Sequence, residues 1–161
     1  MTSQAPQPKD LPTHFSQKAV SDHPQGWEEL WTVGLTPWDK SFPSPALVDL
    51  LEERGDLLPS NFKQGRKKAL VAGCGRGYDV LLLSAFGYDA YGLDFSATAL
   101  EEARKVENEL GGKGVYETRE GRVRESVTWI VGDFFKDGWL EGVVGEKVFD
   151  LIYDYTVCKH G

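Results

Sequence analysis

The feature that most constrains this chain is a glycine-punctuated junction between an apolar run and a helical pattern, Ala69-Leu-Val-Ala-Gly-Cys-Gly-Arg-Gly-Tyr-Asp79. Ala69–Ala72 is short and continuously apolar, the pattern of a strand covered on both faces in a parallel sheet. It stops at Gly73, Gly75 and Gly77, which permit a tight turn and close approach of a ligand to the main chain. Tyr78–Phe86 reads as an apolar crossover helix closed by Gly87, and Tyr88–Leu93 as a second strand. That strand ends in Asp94, 21 residues after Gly73. A mononucleotide-binding βαβ unit presents a carboxylate to ribose hydroxyls at about that distance.

The flanking segments extend this unit to β-α-β-α-β-loop-β. Ser96 is placed to cap a helix running to about Leu110, with Leu100, Ala103 and Leu110 on one side and a Glu101–Lys105 pair on its surface. Tyr116–Glu125 has no period and reads as a loop, Val127–Val131 as a third strand, and Val148–Tyr153 as a fourth. Trp139–Val144 is apolar but too brief for a secure helix. Upstream, residues 1–24 carry Pro6, Pro8, Pro12 and Pro24 among polar residues and read as a flexible arm. Residues 25–161 then form the domain, opening on a tryptophan-rich lid. Trp27 and Trp31 are four apart and share a helix face; Gly34 and Pro37 end that turn and leave Trp38 on a loop. These indoles can form a plain hydrophobic lid or a platform for an adenine ring or a sulfonium cation. Ser44 and Pro45 start a further short helix.

The glycines step by two, Gly73, Gly75, Gly77, rather than in the Gly-x-Gly-x-x-Gly of pyrophosphate-binding turns. An adenosyl cofactor without phosphates needs only close main chain beneath its amino-acid part and an acid for its ribose. Gly132-Asp133-Phe134, directly after a strand, adds an acceptor for the adenine amine and an aromatic beside the ring; the plainer reading of Asp133 is a turn acid. Cys74 reads as a small packed residue rather than a nucleophile, and His14, His23 and His160 as surface residues.

Bulk properties narrow the partners. A net charge of -7 argues against a nucleic-acid binder. Two cysteines, Cys74 and Cys158, without a CxxC spacing indicate neither a metal site nor a disulfide scaffold. No apolar run reaches membrane-spanning length, and Met1–Asp10 lacks the pattern of a signal peptide. The expectation is a cytoplasmic protein, a nuclear pool being compatible, without membrane contact.

Taken together, Trp27-Glu-Glu-Leu-Trp31, Thr36-Pro-Trp-Asp39, the glycine junction, Gly92-Leu-Asp94-Phe-Ser, Gly132-Asp-Phe-Phe135 and Phe149-Asp-Leu-Ile-Tyr-Asp-Tyr155 resemble the thiopurine methyltransferase superfamily, most of all its plant and fungal thiol/halide branch. The resemblance spans residues 27 to 155. It implies a Rossmann-like α/β fold with parallel strands in the order 3-2-1-4 and flanking helices. It also implies S-adenosyl-L-methionine as cofactor, S-adenosyl-L-homocysteine as product, and a small thiol, thiocyanate or halide as methyl acceptor. Carried over by position, it sets Trp27, Trp31 and Trp38 over the methionine side of the cofactor and Gly73, Cys74, Gly75 and Gly77 beneath it. Asp94 falls at the ribose, Asp133 and Phe134 around adenine, and Tyr155 with Asp154 near the transferred methyl, with Phe95 also among the cofactor-binding residues. Because the family fold continues beyond a fourth strand, the chain reads as its N-terminal half. That half should retain the cofactor residues with little turnover alone, and its strand at 148–153 should offer an edge to a second copy or a partner protein. The alternatives are a catalytically inactive module acting through that edge and a small dinucleotide-binding domain.

Overall fold

The computed structural model describes residues 11–55, 67–110, 126–141 and 149–155. Three helices come first: α1 (Leu11–Ser16), α2 (His23–Thr32) and α3 (Pro45–Glu53). The alternating part follows as β1 (Lys67–Ala72), α4 (Tyr78–Ala85), β2 (Tyr88–Asp94), α5 (Ala97–Leu110), β3 (Val127–Val131) and β4 (Leu151–Asp154). All strand pairs are parallel and the order is β3-β2-β1-β4, as the sequence led us to expect.

Register decides where the functional residues emerge. Ala72 lies opposite both Leu93 of β2 and Asp154 of β4, so the glycine turn, Asp94 and the end of β4 leave the sheet along one edge. Asp150 fixes that register from the other end, accepting from the Lys68 amide at 3.0 Å and from Lys67 Nζ at 3.1 Å. In open parallel sheets such a carboxyl-end crevice is where ligands bind.

β1 and α4 carry the core. Ala69–Ala72 are buried, as are six consecutive residues of α4 from Val80 to Ala85. One face of the sheet, with Ala69, Val71, Tyr88 and Ala90, packs on Leu47 and Leu51 of α3 and on Val80, Leu83 and Phe86. The other, with Leu70, Leu93 and Ile130, is met by Tyr91, Phe134, Trp139 and Phe149. Gly87, at φ 90°, ends α4 as expected, and the Ser96 hydroxyl caps α5 by accepting from the Ala99 amide at 2.9 Å.

Three sequence expectations change. Residues 11–24 are not an extended arm: Phe15 lies 4.6 Å from the Trp27 ring, and His14 Nε2 is 3.0 Å from the Gly26 carbonyl. Pro12 and Pro24 fall in first helical turns, where a missing N–H breaks no intrahelical bond. Gly26 lets α1 close on α2, since a methyl there would lie 2.7 Å from the Phe15 ring. Second, Lys105 pairs with Glu102 at 2.6 Å rather than with Glu101. Third, Asp137–Leu140 is a 3-10 turn, and Trp139 takes part in the packing of the second sheet face. The loop expected at Tyr116–Glu125, the start of the fourth strand at Val148, and residues 1–10 lie outside the described residues.

Candidate functional site

The turn after β1 is left-handed at each glycine, with φ 60° at Gly73, 52° at Gly75 and 76° at Gly77. Its main chain is tied to β2 twice. The Cys74 amide donates to the Leu93 carbonyl at 3.1 Å, and the Gly75 amide donates to Asp94 Oδ2 at 2.9 Å. Asp94 Oδ1 accepts from the Ser96 amide, also at 2.9 Å. The carboxylate thus bridges the glycine turn and the start of α5. With the Phe95 amide also close, the carboxylate still keeps acceptor capacity for an incoming hydroxyl. Burial pushes the Asp94 acid upward, while the Ser96 and Gly75 amides pull it back.

The indoles sit against this turn. Trp31 is buried, and a methyl added at Gly75 would lie 3.4 Å from its ring. Trp38 stands edge-on to Trp27 at 5.1 Å and to Trp31 at 5.8 Å, so the three tryptophans form one cluster. Glu28 joins α2 to the start of α5, accepting from Thr98 Oγ1 at 2.6 Å. Burial raises the Glu28 acid, but the hydrogen bonds from Ser96, Thr98 and Ala97 outweigh it and hold the group below its ordinary range.

Around the rest of the crevice, Gly132 donates its amide to the Asp94 carbonyl at 2.9 Å, holding the end of β3 beside the end of β2. Asp133 behaves in part as the turn acid that its position allowed: Oδ1 accepts from the Phe135 amide at 3.0 Å, and Oδ2 is 3.2 Å from Lys136 Nζ. Phe134 stacks on Trp139 at 6.5 Å, and Phe95 is exposed beyond Asp94. Asp154 and Tyr155 are exposed at the end of β4, Asp154 in register with the last residue of β1. The Cys74 thiol packs beneath the turn, 2.9 Å from where a methyl on Gly92 would sit. Burial first, then the charges of Asp94 and Asp79, push that thiol well above its ordinary range, the behaviour of an inert packed cysteine.

The profile of the thiopurine S-methyltransferase family matches residues 22–158. The chain belongs to that family. Among individual relatives it is 36% identical over 131 residues to the probable thiol methyltransferase 2 of Arabidopsis thaliana, covering 81% of this chain and 47% of that protein. It is 35% identical over 132 residues to thiocyanate methyltransferase 1 of Brassica oleracea, covering 82% and 47% respectively. The chain therefore spans about half the length of these relatives. A solved structure from work on the conversion of a disulfide bond into a thioacetal group during echinomycin biosynthesis aligns with a TM-score of 0.59 and 27% identity, over 84% of this chain and 47% of that one.

In this family member a second ring of residues supports the first, and sequence reading passed over it. The Trp129 indole presses on the glycine turn from below: a methyl at Gly77 would collide with its ring, and one at Gly92 would lie 2.6 Å away. Its Nε1 donates to Glu107 at 2.7 Å, which fixes the ring. Asp79 accepts from the Ser44 amide at 2.7 Å and ties α4 to the start of α3; burial pushes this acid up, partly countered by that amide. Arg76 reaches Asp39 at 3.1 Å. The available signals were an arginine placed between two turn glycines and a tryptophan three residues before Gly132 on an edge strand.

Proposed function

We propose that the crevice at the carboxyl end of β1 and β2 holds S-adenosyl-L-methionine, and that the chain carries the cofactor half of a methyltransferase acting on a small thiol, thiocyanate or halide. The observation that carries this reading is the Asp94 carboxylate, fastened to the Gly75 and Ser96 amides at 2.9 Å each with acceptor capacity to spare. The left-handed glycine turn leaves main chain exposed at Gly73 and half-buried at Gly75, and the residues present suit a phosphate-free adenosyl group. Gly73–Gly77 would support its amino-acid part, Asp94 its ribose, and Asp133 with Phe134 its adenine. When bound, that group supplies an electrophilic methyl on a sulfonium sulfur.

The chain's own residues then have three tasks. Trp27, Trp31 and Trp38 exclude water from one side of the crevice, and their faces favour a cation. Tyr155 and Asp154, carried out of the sheet beside Ala72, flank the approach of the nucleophile. Alignment does most of the catalytic work, because a thiolate is already appreciable near neutral pH and a halide carries no proton. No general base is required of the histidines. The names of the thiol and thiocyanate methyltransferase relatives support this acceptor class over a purine thiol.

Titration calorimetry tests the cofactor reading. The expected result is binding of S-adenosyl-L-homocysteine and no heat with NAD. A flat titration with the adenosyl ligand refutes it, and protection by NAD alone would favour a dinucleotide domain. Methyl transfer to hydrosulfide, thiocyanate and iodide, followed with labelled methyl donor, then ranks the acceptors.

A further inference from the structure

Arg76 stands between Gly75 and Gly77, yet its side chain serves the lid. Its Nη1 lies 3.1 Å from Asp39 Oδ2, its Nη2 lies 3.9 Å from Glu102 Oε2, and its guanidinium sits 6.0 Å from the Trp31 ring centroid. Three separate segments meet on this one cation: α2 through Trp31, the loop after α2 through Asp39, and α5 through Glu102. We propose that Arg76 is a positioning residue that latches the indole-bearing segment shut against the glycine turn and so sets the affinity for the adenosyl ligand. This rests on the cofactor reading given above.

The loop it holds is under tension. Ser41 has φ 61°, the one non-glycine residue with a positive φ among the described residues. That conformation disfavours an L-residue and persists only where surroundings enforce it. Asp39 enforces it, its Oδ1 accepting from the Ser41 amide at 2.9 Å while Oδ2 takes Arg76. One carboxylate therefore braces a strained turn with one oxygen and engages the latch with the other. Trp38, the preceding residue, stands edge-on to both other indoles, so a shift of Asp39 is placed to disturb Trp38 and its contacts with them. The Asp39 side chain is only 9% exposed. Without Arg76 it would be a nearly buried charge with no counter-ion and only the Ser41 amide as partner, and opening the loop to hydrate it becomes the favourable course. A ligand that needs the closed loop then binds more weakly in proportion to the closed fraction.

The test uses the full 161-residue chain, with Arg76→Met to remove the charge at similar length, Arg76→Lys to keep the charge without the fork, and Asp39→Asn to neutralise its partner. Binding of S-adenosyl-L-homocysteine is measured by calorimetry. The indoles are followed by fluorine NMR of chain labelled with 5-fluorotryptophan, each resonance assigned by Trp→Phe. The expected result for Arg76→Met is about tenfold weaker binding, equivalent to about 1.4 kcal/mol, with the Trp31 and Trp38 resonances displaced and that of Trp139 unmoved. Arg76→Lys recovers part of the affinity, and Arg76→Met combined with Asp39→Asn recovers more than Arg76→Met alone, because no charge is left orphaned. Affinity within twofold of wild type and unmoved Trp38 in Arg76→Met overturns the latch while leaving the cofactor reading intact. Failure of the wild type itself to bind the ligand overturns the cofactor reading and, with it, the latch's effect on affinity. Should Arg76→Met fail to fold by circular dichroism, Arg76→Lys and Asp39→Asn decide by the same two readouts.

Discussion

Replacing Gly77 by alanine should destabilise the chain by more than the left-handed backbone alone explains, and the excess should belong to Trp129. At φ 76° an L-residue costs about 1–2 kcal/mol, of which about 0.4–1 kcal/mol is returned because alanine also narrows the unfolded ensemble. Gly34 supplies the internal standard: its φ is 72°, and a methyl there meets nothing within 4 Å. Gly34→Ala should therefore cost no more than about 1.6 kcal/mol. At Gly77 the same methyl collides with the Trp129 ring and lies 3.4 Å from Ala103 Cβ. The ring is not a flexible tip that swings aside, since its Nε1 is held by Glu107 at 2.7 Å and its edge lies over Gly92. Overpacking of this kind costs about 1–3 kcal/mol more, a large part of the 5–15 kcal/mol by which small domains are stable. Urea unfolding of wild type, Gly34→Ala, Gly77→Ala, Trp129→Leu and Gly77→Ala/Trp129→Leu measures each contribution at comparable m-values. In the Trp129→Leu background, Gly77→Ala should cost what Gly34→Ala costs. Equal losses for Gly77→Ala and Gly34→Ala in the wild-type background would refute the claim that Trp129 closes the underside of the turn.

The remaining predictions concern the acids. Burial holds the Asp79 acid above its ordinary range, so its contribution to stability is present at low pH and is lost as pH rises through the folded-state value. Asp79→Asn keeps an oxygen for the Ser44 amide and removes that loss. Its urea midpoint relative to wild type should climb as pH rises above the ordinary aspartate range, and a constant difference would contradict the assignment. Glu28 has the opposite sign: hydrogen bonds from Ser96, Thr98 and Ala97 outweigh burial and hold it low, so it stabilises above its unfolded-state value and ceases to as pH falls through the folded one. Glu28→Gln should thus be destabilising near pH 7, by an amount that shrinks as pH falls below the ordinary glutamate range, as read from the same urea midpoints. Asp94→Asn can offer a single acceptor oxygen where Gly75, Ser96 and a ribose all need one. Affinity for S-adenosyl-L-homocysteine should drop at least tenfold, the worth of about one charge-assisted hydrogen bond, and an unchanged calorimetric isotherm would remove Asp94 from the ribose.

What the sequence disclosed and what it withheld divide along a physical line. β1, α4, β2 and α5 were legible because period, glycine stops and the Ser96 cap act over a few residues, and each agrees with its neighbours. That the glycine turn and Asp94 share one edge was legible too, because a βαβ unit returns its second strand beside the first, whereas the bond of the Gly75 amide to the carboxylate was not. Residues 11–24 were misread for the reverse reason. Prolines were taken as breakers, whereas contact of Phe15 with Trp27 over 12 residues makes them helix starters, and no local rule anticipates that contact. The supporting ring around the site is non-local throughout. Arg76 with Asp39, Asp79 with Ser44, and Glu28 with Thr98 join segments 35 to 70 positions apart in the last two cases and nearly 40 in the first. All three tie the segment from Glu28 to Ser44 to the glycine turn, α4 and α5 rather than the sheet to itself. On the latch proposed above, the chain from α2 to the start of α3 acts as a closure held by charges on the glycine turn, α4 and α5, and affinity for the adenosyl ligand should follow the integrity of those ties more closely than overall stability does.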